Sequence, residues 1–562
     1  MTARPGGLDD FRRRLTVTGT ALADVVRNVD LRHLQLAWAC SMTAEWAYFV
    51  ALGVFAYREG GSLAVGIVGL VRMLPGALVT PLGAALGDRY RRRRVLLSIQ
   101  GARVLCVAAS AGAFAADAPA PVVYALGGLA GMTATLYWPT HYAIVPWLAK
   151  KPEEVVAANS ASSTIEGLGT LAGPIGGGLL VSLTDPGVAF AATAATHLLA
   201  CLALAAIRGE GESLQVVEDT GRTAAAEIVA GFKAIAREPG ARLVVALFCG
   251  QSLVRGALNV LIVAAGLSLL GVGASGVGYL TGAIGVGGVA GALAAVALVG
   301  KRLAVPFGVG LVLWGLPIAL IGAWPEPAVA LFLLGVVGGG NAVLDVAGLT
   351  LLQRAERDEF LNRILGVLYG AAMGAVGLGS ILVAPLISAL GIRGALAVTG
   401  AFLPLLAVLA WRRLVALDRR AAAPQRELET LRRVPMFAPL PVAGAEQVAR
   451  SLRPLRIAAG TSVVREGDAG DLFYILVEGE MEVAGDDFRV ELHDEGEYFG
   501  EIALLRNVPR TATVTAVSDA LVYALERDDF MRAVTGHAGG LEAGEAVVRG
   551  RLAALPGYRG PI

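Results

Sequence analysis

The sequence predicts an α-helical membrane protein with twelve transmembrane helices, followed by a soluble, strand-rich C-terminal domain. Hydrophobic residues make up 55% of the 562 residues and charged residues 17%, whereas soluble proteins carry about 25% charged residues. Apolar runs of about 20 residues, each long enough to cross about 30 Å of hydrocarbon as a helix, recur from residue 33 to 413. Beyond them the chain turns polar, and alternating segments such as LFYILVEGEMEVAG and VTAVSDALVYALE predict strands.

The predicted membrane spans form two sets of six. They lie at 33–58, 63–87, 95–116, 120–148, 159–183, 186–207, 241–270, 275–299, 303–323, 327–352, 365–390 and 393–413. The predicted domains are a cytoplasmic N-terminal segment (1–32), a first half (33–207), a cytoplasmic linker between the halves (208–240), a second half (241–413), a linker helix (414–433), the soluble domain (434–535) and a tail with a short helix (536–562). The linker segment GRTAAAEIVAGFKAIAREPG has helical periodicity suited to a membrane surface.

The distribution of basic residues predicts the orientation. Arginine and lysine concentrate in the even-numbered gaps between spans, for example at 89–94 and 150–151, and are sparse in the odd-numbered gaps. By the positive-inside rule both termini face the cytoplasm, and an even number of spans requires that agreement. Arginine carries nearly all the positive charge, which favours a GC-rich bacterial genome and hence a bacterial inner membrane.

The two halves resemble each other at a constant offset. LGTLAGP at 168–174 is matched by LGSILVAP at 378–385, and GMTATLYWP at 131–139 by GGNAVLDVA at 339–347. A parallel repeat of two six-helix halves is a transporter architecture. The sequence contains no G-x-x-x-x-G-K-[ST] phosphate-binding loop, so we expect an ion gradient rather than nucleotide hydrolysis to drive transport.

The loop after the second span carries a charge cluster that could latch one conformation. In GAALGDRYRRRRVLL, residues 83–97, the positions Asp88, Arg89, Arg92 and Arg93 resemble the loop signature of the major facilitator superfamily. At the two glycine positions of that signature this chain has Ala84 and Arg91, so it lacks the glycines that favour a tight turn there. The resemblance implies the major facilitator superfamily fold.

The fifth predicted span contains GTLAGPIGGGLL, a glycine-rich stretch that permits close helix approach around a proline. It resembles the Gly-Pro-x-x-Gly-Gly signature of the drug–proton antiporter branch of that superfamily. That resemblance favours efflux over uptake. The antiporter-like positions are Gly169, Gly173, Pro174, Gly177 and Gly178.

Charged residues inside the spans are candidates for the proton and substrate pathway, because burying them is costly. A proton carrier needs a membrane carboxylate whose protonation depends on its surroundings, and we expect Glu45 first and Asp345 second. Arg255 occupies nearly the place of Glu45 in the second half and could face it across a central cavity. Arg72 and Tyr137, the repeat partner of Asp345, complete the predicted pathway.

Other polar residues in the spans are expected to be structural. Arg103 and Glu166 are predicted near cytoplasmic helix ends, and His141 and His197 are expected to pack between helices. The four cysteines lie far apart in apolar runs, so no metal site is predicted. We expect no catalytic residues and no enzymatic activity.

The C-terminal domain contains a motif suited to a cyclic phosphate. VVREGDAGDLFYILVEGEMEV (463–483), followed by GEYFGEIALLRNVPRTATVTA (496–516), resembles the cyclic nucleotide-binding domain, which implies a β-roll with flanking helices. A short helical turn would direct N–H groups at the phosphate, Glu501 would accept a ribose hydroxyl bond, and Arg510 would pair with phosphate oxygens. The expected site residues are Gly500, Glu501, Ile502, Ala503, Arg510, Thr511 and Ala512. The base could be capped by Arg549, Leu552 or Tyr558 of the tail.

Together these features predict a proton-coupled exporter regulated by cAMP or cGMP, with cAMP slightly preferred. Its expected partners are the lipid bilayer, protons and an unidentified small molecule, with no nucleic acid, since the net charge is +1. The alternatives are a non-transporting cyclic nucleotide receptor and an exporter of the cyclic nucleotide itself. A ligand-gated channel is disfavoured by twelve spans, the repeat and the lack of a TVGYG-like filter.

Overall fold

The computed structural model describes most of the chain as two compact units, residues 1–421 and 422–562. The described residues are 27–89, 91–208, 231–233, 235–295, 302–355, 358–421, 425–440, 442–485, 488–536 and 538–553. Most of the predicted N-terminal segment and of the linker 208–240, including most of its proposed surface helix, therefore lies outside the described residues.

The described part of the first unit is helical. Its helices are α1 (Val29–Arg89), α2 (Arg92–Ala115), α3 (Ala120–Leu148), α4 (Pro152–Leu183), α5 (Pro186–Ala205), α6 (Pro239–Ala264, followed by a π-helical turn at Ala265–Leu269), α7 (Gly273–Ala295), α8 (Ala304–Ala323), α9 (Pro327–Ala355) and α10 (Asp358–Ala421). Proline stands at the first or second position of α3, α4, α5 and α6, where its missing N–H costs no helical hydrogen bond.

Two of these helices are broken by glycine. Gly61 in α1 has φ +62° and Gly391 in α10 has φ +69°, a backbone conformation that glycine adopts without the steric cost of a Cβ. Gly61 lies in the predicted gap between spans one and two, and Gly391 lies in the predicted gap between spans eleven and twelve. Each long helix thus comprises two helical segments joined at a sharp break.

The first unit spans a membrane many times. Among the described residues, nine helices are long and apolar enough to cross a bilayer, and two of them, at 49 and 56 residues, far exceed the roughly 20 needed for one crossing. The exact number of twelve crossings stays a prediction. Many large apolar side chains lie on the outside of this unit, among them Leu183, Leu293, Phe332 and Val408, which suits a surface that faces lipid.

The second unit contains two four-stranded antiparallel sheets. Its strands are β1 (Arg453–Ile457), β2 (Ser462–Val464), β3 (Leu472–Glu478), β4 (Met481–Gly485), β5 (Phe488–Leu492), β6 (Tyr498–Phe499), β7 (Thr513–Ala516) and β8 (Ala520–Glu526). The strand orders are β1-β8-β3-β6 and β2-β7-β4-β5. Alternate residues of β3 and β8 point into two separate cores, which explains why both strands read as almost continuously apolar.

Among the described residues, five helices accompany this β-roll, and several of them pack against the sheet that contains β3 and β8. They are α11 (Gln425–Arg433), α12 (Val442–Ser451), α13 (Glu501–Arg506), α14 (Arg527–Thr535) and α15 (Ala538–Ala553). Phe437, Phe473 and Phe530 form the centre of the core between sheet and helices, with ring centroids 4.8 to 6.0 Å apart. The predicted linker helix 414–433 falls on both sides of the division, because α10 continues to Ala421 and Asp418 accepts a hydrogen bond from Leu303 N–H (2.9 Å).

Candidate functional site

The motif FGEIALLR of the second unit forms a turn into a short helix. Gly500 has φ +94° and precedes the six-residue helix α13. A Cβ on Gly500 would lie 2.5 Å from Nη1 of Arg510, which is closer than any real Cβ contact. The glycine is therefore required twice, by its backbone conformation and by the side chain that passes beside it.

Arg510 is fixed against this turn. Its Nη2 donates to the carbonyl oxygen of Leu472 (2.7 Å) and its Nη1 to that of Gly500 (3.3 Å), while its guanidinium lies 5.9 Å from the ring centre of Tyr474. The side chain is buried, and burial lowers the pKa of the Arg510 guanidinium from its usual value. A buried cation held by two neutral carbonyls has no compensating negative charge in these contacts, and an anion would supply it.

Glu501, the first residue of α13, is almost completely buried. Its Oε1 accepts a hydrogen bond from Nη1 of Arg551 (2.8 Å), and its Oε2 has no hydrogen-bond partner among the described residues. Burial raises the pKa of the Glu501 carboxyl, and the nearby Arg551 and Arg510 partly offset that rise. The site thus holds an acceptor oxygen that a hydroxyl donor could satisfy.

Arg551 was not among the residues predicted from the sequence. It lies on α15, where Nη2 also donates to the carbonyl oxygen of Tyr498 (2.9 Å) and the guanidinium stacks over the Tyr498 ring at 4.5 Å. The predicted capping candidate Arg549 is exposed, and its Nε bonds the carbonyl of Glu545 on its own helix. No local pattern distinguishes the arginines of this tail, since the contact joins residues 50 positions apart.

The other predicted site residues differ in exposure. Ala503 and Ala512 are buried, Ile502 is half-buried and Thr511 is exposed. A Cβ on Gly470 would lie 2.7 Å from the Cβ of Ala503, so this part of the turn is tightly packed. Of the remaining capping candidates, the side chain of Leu552 and all of Tyr558 lie outside the described residues.

The intramembrane carboxylate of Glu45 is held by two arginines of its own half. Arg72 from the second segment of α1 and Arg103 from α2 each form an ion pair with one carboxylate oxygen. Arg103 also donates to Oγ of Ser41 (2.7 Å) and lies 5.5 Å from the ring centre of Tyr137. The ion-pair partners of Glu45 thus come from the first half, and that it faces Arg255 across a central cavity stays a prediction. Arg103, expected to be structural near a helix end, belongs to this cluster.

Asp345 has a different environment in the second half. Its Oδ2 accepts a hydrogen bond from Nδ2 of Asn341 (2.8 Å). The Oδ1 of Asn341 accepts from Arg255, from Gln251 (3.0 Å) and from Trp314 (2.9 Å). Asn341 thus lies between Arg255 and Asp345, and the described partner of this carboxylate is a neutral amide rather than a cation.

The remaining motifs position helices. Arg92 and Arg93 donate to the carbonyls of Ala143 (2.8 Å) and Ala205 (2.7 Å), whereas the side chains of Asp88 and Arg89 lie outside the described residues. The antiporter-like glycines of α4 lie directly against neighbouring backbone. Added Cβ atoms on Gly169, Gly173 and Gly177 would lie 2.4 to 2.7 Å from α1, and one on Gly178 would lie 2.7 Å from Ala274 of α7. Pro174 contributes its carbonyl to the same α4–α7 contact, 2.3 Å from a Cβ placed on Gly278.

A multi-helix membrane unit with charged residues between its helices, joined to a soluble β-roll, defines the class of multi-pass transporters that carry a ligand-binding domain. Residues 35–355 match the family model described as Major Facilitator Superfamily, and residues 454–537 match that of the Cyclic nucleotide-binding domain. The first match covers more than half of the chain, so the protein belongs to the Major Facilitator Superfamily. The predicted fold is confirmed, while the drug-efflux branch stays a prediction.

Known proteins resemble the two units separately. The chain is 40% identical over 104 residues to a cAMP-dependent protein kinase regulatory subunit of Yarrowia lipolytica, and 38% identical over 105 residues to a cyclic nucleotide-gated potassium channel of Rhizobium etli. These matches cover 18% and 19% of this chain and only 28% and 29% of those proteins. A POT family transporter solved with a thioalcohol-conjugated peptide has a TM-score of 0.55 at 14% identity, covering 69% of this chain and 96% of its own, which shows the shared fold.

Substituting Gly500→Ala should destabilise the second unit. The left-handed backbone alone costs about 1–2 kcal/mol for a residue with a Cβ, and Arg510 must also move. We expect a lower melting temperature for the second unit's transition in the full chain. Gly550→Ala is the matched control, because a Cβ there meets nothing within 4 Å and alanine favours a helix. Equal melting of the two variants would contradict the assignment.

Substituting Arg551→Gln should make stability depend more steeply on pH. Without this cation the pKa of Glu501, already raised by burial, rises further above the unfolded value near 4.5. A raised carboxyl pKa favours the folded state below the unfolded pKa, and that contribution is lost as the pH rises through the folded pKa. The variant should therefore lose stability relative to wild type between about pH 4.5 and neutrality, by about 2 kcal/mol at neutral pH.

Thermal melts of the second unit's transition across that pH range measure this effect. Arg549→Gln serves as the control, since Arg549 is exposed on the same helix and its Nε donates to the backbone carbonyl of Glu545. If Arg551→Gln and wild type show parallel stability over the whole range, Arg551 does not stabilise the Glu501 carboxylate.

Proposed function

We propose that this protein is a proton-coupled secondary transporter, an exporter of small molecules, whose activity is regulated by a cyclic nucleotide bound to the second unit. Membership of the Major Facilitator Superfamily supports the transport function. The intramembrane carboxylates support proton coupling, and the antiporter-like motif supports export. The basic loops support a bacterial inner membrane location with both termini in the cytoplasm, where a cyclic nucleotide could reach the site.

The observation that carries the regulatory part is a buried carboxylate oxygen with no hydrogen-bond partner beside a buried arginine with no ion pair, both among the described residues. Oε2 of Glu501 offers an acceptor for a ribose hydroxyl, and Arg510 offers charge and N–H donors to a cyclic phosphate. A cyclic nucleotide supplies both groups. The similarity to a cAMP-dependent kinase regulatory subunit supports a slight preference for cAMP over cGMP.

The contact between Arg551 and Glu501 suggests how ligand binding would affect the position of α15. A ribose hydroxyl that donates to Glu501 would share the carboxylate with Arg551. Because Arg551 lies on α15, a change in this ion pair would change how α15 is held against the site. A ligand shifts a conformational equilibrium only through different affinities for the two states. A difference of about 1–3 kcal/mol, or roughly 5–150-fold, is ordinary for such regulation.

For the proton carrier we favour Asp345 over Glu45. Each carboxylate oxygen of Glu45 forms an ion pair with an arginine, so a proton taken up by this carboxylate must displace an arginine. Asp345 accepts a hydrogen bond from the Asn341 amide and forms no ion pair with the described residues, so its protonation displaces no described cation. Arg255, on the other side of Asn341, could approach the carboxylate in one state and lower its proton affinity there.

Substituting Arg510→Gln should weaken cyclic nucleotide binding. A hydrogen bond to a charged group contributes about 1.5–3 kcal/mol, so the dissociation constant for cAMP should rise by roughly 10–150-fold. Isothermal titration and the ligand-induced melting shift of the full chain in detergent measure this. Arg489→Gln is the control, since that arginine is exposed and pairs with Glu482 on the neighbouring strand. Absence of any melting shift in wild type with cAMP and cGMP refutes the regulatory function.

Substituting Asp345→Asn should abolish the dependence of transport on a pH gradient. The amide has the shape of the carboxylate and its oxygen can accept the hydrogen bond from Asn341, but it cannot take up and release a proton in the transport cycle. Counterflow and gradient-driven uptake by proteoliposomes, with a substrate found from a compound panel, separate binding from coupling. We expect counterflow to persist and gradient-driven accumulation to fall at least tenfold. Glu326→Gln, an exposed carboxylate at the start of α9, controls for loss of charge, and equal accumulation by both variants argues against Asp345.

A further inference from the structure

One side of α10 changes from apolar to basic near the end of the helix. Leu405 and Val408 are exposed, and the exposed residues Arg412 and Arg419 follow them. Steps of three, four and seven residues return to the same side of a helix, so these four side chains form one stripe, the α10 stripe. Arg412 lies one turn beyond Val408, and Arg419 lies about 10 Å further along the axis. The stripe therefore passes from a surface that suits acyl chains to one that suits anions.

The beginning of α8 has the same arrangement. Val305 and Val309 are exposed, and the exposed Arg302 stands three residues before Val305. These side chains form the α8 stripe, which is basic at the start of the helix and apolar further on. Since α8 begins with its arginine and α10 ends with its arginines, the basic ends meet where the two helices run antiparallel side by side.

Contacts along α8 and α10 show that they are antiparallel neighbours. The backbone N–H of Leu303 donates to Oδ1 of Asp418 (2.9 Å), and a Cβ on Gly308 would lie 2.9 Å from the ring of Trp411. An arginine of a stripe is the sequence neighbour of each residue in this hydrogen bond, so the basic ends of the two stripes lie at one level. Asp418 itself is buried, and its carboxylate is directed to the backbone of α8.

The two stripes also face the same side of this helix pair. Gly308 and Gly315 of α8 contact Trp411 and Pro404 of α10, which fixes the line of contact on each helix. At about 100° per residue, each stripe lies about a quarter of a turn from that line in the direction of its own chain. Because the two helices run in opposite directions, these similar rotations bring both stripes to one side of the pair, where their arginines adjoin.

The three arginines of the stripes, Arg302, Arg412 and Arg419, form an arginine patch that has no described counterion. Among the described residues no ion pair or side-chain hydrogen bond engages their guanidinium groups. A guanidinium binds phosphate oxygens through parallel N–H donors, and basic groups between helices at a membrane surface bind acidic lipid headgroups. Trp411, exposed beside the patch, is a residue type enriched at the membrane–water interface.

We propose that the arginine patch binds the headgroup phosphate of an anionic phospholipid whose acyl chains lie on the apolar parts of the two stripes. Charge complementarity favours this occupant, because the patch is positive and adjoins apolar surface, and an anionic lipid joins a phosphate to hydrocarbon chains. A zwitterionic lipid carries its own cation beside the phosphate and gains less from the patch. The lipid would fasten the start of α8 to the end of α10, which goes beyond the transport and regulation proposed above.

Lipid binding to the purified full chain in a neutral detergent tests the proposal without requiring transport. The probes are dioctanoyl phosphatidylglycerol, dioctanoyl phosphatidylcholine with the same chains, and glycerol phosphate, which has the phosphate without chains. Native mass spectrometry counts bound lipid, and the melting temperature of the membrane unit measures stabilisation. We expect phosphatidylglycerol to bind more tightly than phosphatidylcholine by about thirtyfold or more, and glycerol phosphate to leave the melting temperature unchanged.

Two results of this comparison would overturn the proposal. Equal binding of the two lipids would mean that the site recognises acyl chains and not the anionic headgroup. A melting shift with glycerol phosphate as large as that with phosphatidylglycerol would mean that the patch binds free phosphate and not a lipid.

Variants on the two helices assign the site. Arg302→Gln and Arg412→Gln should each weaken phosphatidylglycerol binding about fivefold, and the double variant about thirtyfold. Arg413→Gln is the matched control, because Arg413 is also exposed but lies about 100° round α10 from Arg412, outside the stripe. Unchanged binding in the double variant, or an equal loss in Arg413→Gln, overturns the assignment. Melting without added lipid checks folding, and if one single variant does not fold, the other decides.

Discussion

The structure depends on a single constraint: an ionised side chain removed from water must be paired, or its burial costs several kcal/mol. In the first unit Glu45 meets this requirement through Arg72 and Arg103, which connect both segments of α1 with α2. In the second unit Glu501 meets it through Arg551, which connects α13 with α15. In both places the ion pairs decide which helices lie together around the site.

Close backbone contact is the second determinant of the membrane unit, and it follows from the lack of a hydrophobic driving force between helices in lipid. The glycines of α4 bring its backbone against α1 within one half and, through Gly178, against α7 of the other. Gly256 and Gly379 bring α6 and α10 equally close within the second half. Small residues therefore allow the halves to meet without large side chains between them, and the polar groups near the interface gain a defined geometry.

Much of this architecture could be predicted from the sequence. Apolar run length predicted the membrane helices, and the Gly500-Glu501 and Arg510 motif predicted which residues meet in the β-roll, because these features depend on local pattern. The partners of buried charges could not be predicted in the same way. Arg103 was placed with the structural residues and Arg551 was missed, since each contact depends on helix rotation and on residues 50 or more positions away.

The ratio of charges in each cluster indicates the polarity of the ligand that completes it. Around Glu501 one arginine binds one carboxylate oxygen, so an acceptor remains and a hydroxyl donor fits. Around Glu45 two arginines share one carboxylate, and three of their nitrogens have no hydrogen-bond partner among the described residues, so N–H donors and a positive charge remain. Glu501 is thus left short of a donor, whereas Arg510 beside it and the arginines around Glu45 are left short of acceptors among the described residues.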